Sequence, residues 1–134
     1  MAKRNIVKYN IVDKVAFTLI GISSHENDYR LSWSINESIG LAFSQSDCLI
    51  TASGKEFTCF VHKDDDNKKL VLVSNRCDDG FLLEKHKNLD FILKFETELN
   101  EAEITSWIHN LRKTPLVSAA FHIPLNNKLL QLLG

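Results

Sequence analysis

The densest set of reactive side chains lies in residues 24–33, where His25, Glu26, Asp28, Tyr29, Arg30 and Trp33 fall within ten positions that begin at Ser24. Two chemistries suit these residue types. An imidazole oriented by a carboxylate can carry a proton, which makes His25 the carrier and Asp28 its partner. A guanidinium forks onto carboxylate or phosphate oxygens, which makes Arg30 an anion clamp with Tyr29 beside it. The same spacing has a purely structural reading. In it Ser24 or Asn27 caps a helix, and Glu26 and Asp28 favour that helix's N-terminus through its dipole. Tyr29 and Trp33, four apart, anchor the helix in the core, and Arg30 pairs with an acidic neighbour.

A second polar set, Ser74, Asn75, Arg76 and Asp78 with Gly80, makes a loop that either holds an anion or simply turns between strands. Glu84 and Asp90 are a conceivable acid and base, although nothing in sequence fixes their separation. The candidate ligand-binding residues are thus His25, Asp28, Tyr29, Arg30, Ser74, Asn75 and Asp90, and none is assigned as catalytic. Metal chemistry finds no pattern. Cys48, Cys59 and Cys77 are odd in number and include no C-x-x-C pair, which suits neither a disulfide framework nor a four-ligand zinc site. They read as reduced, partly buried thiols. Cys59 and His62, three apart on a strand, face opposite ways. The run Asp64, Asp65, Asp66 and Asn67 lacks the alternating ligands, central glycine and terminal glutamate of a calcium loop. It reads as a solvated hairpin turn, and no cofactor or metal is expected.

These residues need elements to position them. Residues 14–22 alternate Val15, Phe17 and Leu19 against Ala16, Thr18, Ile20 and Ile22, so both faces are apolar and the strand is central. For 28–39 the spacing of Leu31, Ile35 and Ile39 predicts a helix, with Gly40 at its C-terminus. Weak β-type runs follow at 41–44 and 48–52. Stronger ones at 56–62 and 70–74 form an antiparallel hairpin across 63–69. After a loop at 75–80 come a short strand at 81–83 and a longer one at 89–96. A helix begins at the Asn100 cap, with Glu103 at the capping-box position and Ile104, Trp107, Ile108 and Leu111 as its apolar stripe. A final strand runs over 116–123, stopped by Pro124. The leucine-rich tail 125–134 makes a short helix that must dock on something.

This order predicts a single α+β domain over residues 1–134: an antiparallel or mixed sheet packed by two main helices, with a short C-terminal helix. Because 89–123 is a β-α-β unit preceded by another strand and helix, the preferred arrangement is ferredoxin-like, a split β-α-β. At 134 residues the chain is long enough for one core. A net charge of −1 offers none of the excess that phosphate-backbone binding uses, so nucleic acid is not an expected partner. No apolar run approaches the roughly 20 residues of a membrane span, and a soluble cytoplasmic protein is expected.

The residues Leu19, Ile20, Gly21, Ile22 and Ser23, then His25, then Asp28, Tyr29, Arg30 and Leu31 with Trp33, form the first part of a resemblance. Leu72, Val73, Ser74 and Asn75, then Gly80 and the stretch 83–91, complete it. Together they resemble the bacterial IPExxxVDY family of Bacteroidetes-type organisms, which has no assigned function. The likeness extends from Leu19 to Phe121. Within the signature Leu83 stands for the isoleucine, Glu84 for the proline, Lys85 for the glutamate, Leu89 for the valine and Phe91 for the tyrosine. Asp90 alone is literal, so the signature reads here as a loop leading into a strand. Two functions then compete. The preferred one is a non-enzymatic module, a homodimer that binds a protein partner or a small ligand, because apolar surface is in excess in the leucine-rich tail and on a sheet face left open by only two helices. The alternative is a small enzyme or anion-binding domain built on His25, Asp28, Tyr29 and Arg30.

Overall fold

Alternation of apolar side chains on both faces makes β1 (Thr18–Ser23) an interior strand, with Ile20 and Ile22 entering one core and Leu19 the other, all fully buried. The computed structural model describes residues 17–133, so Lys14, Val15 and Ala16 of the expected strand lie outside the described residues. Helix α1 (Asp28–Ile35) follows and ends in a π-helical turn at Asn36–Gly40, where Gly40 takes a φ of 81°. The chain then meanders through β2 (Ser44–Ile50), β3 (Glu56–Lys63) and β4 (Lys69–Ser74). A two-residue ladder of β5 (Arg76–Cys77) and β6 (Gly80–Phe81) leads to a 3-10 turn at Glu84–His86 and to β7 (Phe91–Phe95). Helix α2 (Glu101–Lys113), strand β8 (Ala119–Ile123) and helix α3 (Asn127–Leu133) complete the described chain.

Six strands form one antiparallel sheet in the order β2-β3-β4-β7-β1-β8. β1 and β4 therefore run parallel with β7 between them, and β7 and β8 run parallel with β1 between them. These are two interlocked split β-α-β units, the ferredoxin-like pattern read from the sequence, extended beyond β4 by β3 and β2. The hairpin of β3 and β4 pairs Cys59 with Val73 through Lys63 with Lys69, and its turn is closed by Asp64 accepting from the backbone N–H groups of Asp66 and Lys68.

On one face of the sheet, α1 and α2 cover Ile20, Ile22, Phe60, Leu72, Leu93 and Phe95. The α2 stripe sits as its spacing requires: Leu111 is buried, Trp107 meets Phe95 edge-on at 4.9 Å, and the Asn100/Glu103 capping box is formed. The opposite face is covered, not open as the count of two helices implies. There α3 inserts Leu129 and Leu133, and residues 82–89 insert Leu82, Leu83 and Leu89, into a second core with Leu19, Phe57 and Ile92.

Three further expectations change. Tyr29 and Trp33 are not core anchors; they stand 68% and 63% exposed, because Leu31 and Ile35 take the buried face of α1. The weak run at 48–52 falls on the edge strand β2, which starts at Ser44 and is interrupted by a bulge between Ser46 and Leu49, whereas residues 41–43 of the other run are not strand. The last strand starts at Ala119 and not at 116, since residues 114–117 turn through a left-handed Leu116 with φ 76°.

Candidate functional site

The C-terminal ends of β1 and β4 and the N-terminal end of β7 meet at one end of the sheet, beneath the start of α1. A chain of backbone bonds joins them: the Asp90 N–H donates to the Ile22 carbonyl at 3.0 Å, and the Asn75 N–H donates to the Asp90 carbonyl at 2.9 Å. Asp90 is thereby fixed between β1 and β4. Its carboxylate accepts from the Ser24 N–H at 2.8 Å and from Arg76, through Nε at 2.9 Å and Nη2 at 2.7 Å. Charge-assisted bonds of this kind are the stronger class, and they hold the guanidinium against the sheet end. Phe81 supports it from the other side, with the Arg76 guanidinium 5.4 Å from the ring centroid.

Above this floor, Ser24 turns the chain into α1 by accepting from the Glu26 N–H, and Asn27 caps the helix by accepting from the Arg30 N–H at 2.9 Å. Asp28, in the first turn, accepts from the Thr58 hydroxyl of β3 at 2.6 Å and from the Tyr29 N–H at 2.7 Å. The result is a polar cleft of about 550 Å3 between the β1–α1 turn and the strand ends. His25, Glu26, Asp28, Ser74, Arg76 and Asp90 line it, with Thr58 behind Asp28.

Of the residues chosen from the sequence, the fold brings His25, Asp28, Ser74 and Asp90 together and leaves three out. Tyr29 points away, its ring edge-on to Phe60 at 5.9 Å. Arg30 is turned toward Glu26 one helical turn back, 3.6 Å away on the surface, and does not line the cleft. Asn75 is fully buried and serves as a clamp. Its side-chain amide donates to the carbonyls of His86 and Leu89 and its oxygen accepts from the Leu83 N–H, which fixes the loop from 75 to 90. Glu84 does not face Asp90; it lies 3.7 Å from Lys55. Thr58 was missed, because its part depends on β3 lying beside α1, a contact 30 positions apart in sequence.

Chemically, the cleft does not assemble the His25–Asp28 acid–base pair of the alternative reading. Asp28 has both oxygens engaged by Thr58 and Tyr29, and His25 has no hydrogen-bond partner among the described residues. Of the three carboxylates that line the cleft, Asp90 is paired with Arg76 and Glu26 with Arg30, which leaves Asp28 without a cationic partner among the described residues. Among the described residues no group of three or more His, Cys, Asp or Glu side chains can hold a metal ion, and no helix is long and apolar enough to cross a membrane. No family model matches the chain, and neither does any curated protein.

Proposed function

We propose that the protein is a non-enzymatic binding module, a homodimer of the cytoplasm, whose polar cleft takes a small organic cation. The observation that carries this reading is Asp28, which lines the cleft with no cation within ion-pair distance among the described residues, while Asp90 is held by Arg76 and Glu26 by Arg30. An ammonium group entering there meets carboxylate and hydroxyl oxygens at their open lone pairs. A small anionic ligand, the other use of the same residues, lacks the support of Arg30, which lies against Glu26 outside the lining. Proton-transfer catalysis lacks a carboxylate to orient His25. Under the proposed membership of the IPExxxVDY family, the literal signature residue Asp90 acts as a brace, fixing Arg76 and the turn at Ser24. Three free thiols favour a reducing compartment. The exposed pair Tyr29 and Trp33 supports self-association, in place of the leucine-rich tail that the second core absorbs.

A thermal-shift series with primary amines and diamines, beside carboxylates and phosphates of matched size, tests the cleft. Amines alone should raise the melting temperature with concentration, as mass action on the folded state requires. Asp28→Asn should remove that gain. Stabilisation by the anions only, or an amine effect that survives Asp28→Asn, overturns the reading.

A further inference from the structure

On the opposite face of the sheet from the polar cleft, a groove of about 460 Å3 runs between the 3-10 turn at Glu84–His86 and α3. We propose that this groove is a binding site for a small anionic amphiphile, an apolar chain or ring that carries a carboxylate, sulfonate or phosphate.

The walls come from two elements. Leu82 and Leu83 enter from the loop, and Leu129 and Leu132 from α3. Leu82, Leu83 and Leu129 are themselves members of the second core, so an apolar guest in the groove extends that core and removes its outer surface from water. The size falls in the range of about 300–1,000 Å3 typical of small-ligand sites, and leucine walls with a few polar rim groups match their usual lining. A protein interface of standard size engages about 20–30 residues a side, whereas ten line this groove. The dimensions favour a small molecule.

The rim sets the sign of the head group. Lys85, His86 and Lys128 stand around the opening, and Glu84, the one rim carboxylate among the described residues, is engaged by Lys55 at 3.7 Å. Among the described residues neither Lys85 nor Lys128 has a carboxylate within ion-pair distance. An anionic head beside the leucines therefore meets two ammonium groups, and a cationic head meets repulsion. The polar cleft has the reverse character, so the two sites select ligands of opposite charge and either can stand without the other.

Titration calorimetry on the full chain, with decanoate, decanol and decyltrimethylammonium each below its micelle concentration, tests the proposal. Decanoate should bind saturably at one per chain and at least tenfold more tightly than decanol, with decyltrimethylammonium weakest. The double substitution Lys85→Ala/Lys128→Ala, on the exposed rim, should reduce decanoate affinity to the level of decanol and leave decanol binding unchanged. Leu132→Glu should abolish binding of all three while the far-ultraviolet circular dichroism stays that of the wild type. Equal affinity for the three head groups, no saturable decanoate binding, or a decanoate affinity indifferent to the double substitution overturns it.

Discussion

At the scale of single residues, polar side chains divide between those that hold the chain and those that face a ligand, and burial separates the two. Asn75 looked like a ligand contact in sequence because Ser74, Asn75 and Arg76 form a polar run; in the fold it is fully buried with three side-chain hydrogen bonds. Asn75→Ala leaves two carbonyls and one N–H of the 75–90 loop without partners. It should cost about 3 kcal/mol, at about 1 kcal/mol or more per lost bond, in a urea-unfolding comparison. Stability within about 0.5 kcal/mol of the wild type would show the loop is held otherwise. Lys94 makes a pH-dependent contribution. Burial pushes its ammonium below the usual lysine value of 10.5, with Glu96 opposing, while it donates to the Leu133 carbonyl and lies 5.0 Å from the Phe17 ring centroid. Between the depressed folded value and 10.5 the unfolded chain binds more protons, so stability from this group rises with pH across that window. The difference in unfolding free energy between wild type and Lys94→Met should therefore move in favour of the wild type from neutral pH toward 10.5. A pH-independent difference contradicts the assignment. The helix cap and the acidic first turn were legible because Asn27 and Asp28 act on their own helix. Thr58 was not, because its role is a contact across the fold.

At the scale of elements, legibility followed hydrophobic pattern. β1, β3, β4, β7 and α2 each have a buried face and carry its periodicity, and all appear where the sequence places them. β2 has no such face. Six of its seven residues are exposed, and its bulge breaks the alternation, so the sequence marks only its end residues, Ser44 and 48–50. The helical fate of α1 was readable, but which of its faces is buried was not: Tyr29 and Trp33 offer as apolar a stripe as Leu31 and Ile35, and only the sheet beneath chooses between them. The close packing of β1 against the 75–90 loop gives an element-scale test. A Cβ on Gly21 would lie 2.5 Å and 2.9 Å from the methyl carbons of Leu89 and 3.2 Å from Ile123 Cδ1. Leu89 is fully buried, so it can yield only by displacing the second core. Gly21→Ala should destabilise by about 1–3 kcal/mol, as overpacking does, with the loss visible as a lower urea midpoint at unchanged slope. An unchanged midpoint would show that Leu89 repacks freely.

For the whole molecule, the sheet has helices or loop on both faces and two edges, and the edges decide how copies can meet. β2 is one edge, and its bulge and the exposed Asp47 are features that discourage strand-to-strand pairing. The proposed homodimer is therefore expected to form through side chains and not by extension of the sheet. Tyr29 and Trp33 lie four apart on α1 and stand 68% and 63% exposed. An aromatic side chain buries about 150–250 Å2 when covered, so this mostly exposed pair offers about 200–300 Å2, the few hundred Å2 at which an exposed apolar patch marks an interface. Light scattering at micromolar concentration should give twice the chain mass of 15.3 kDa. Trp33→Lys and Tyr29→Lys should each return it to a single chain mass, with the circular dichroism unchanged, because both side chains are outside the core. A wild-type mass of one chain, or a dimer that both substitutions leave intact, would remove self-association through α1 and leave its aromatic pair as a surface for a different partner.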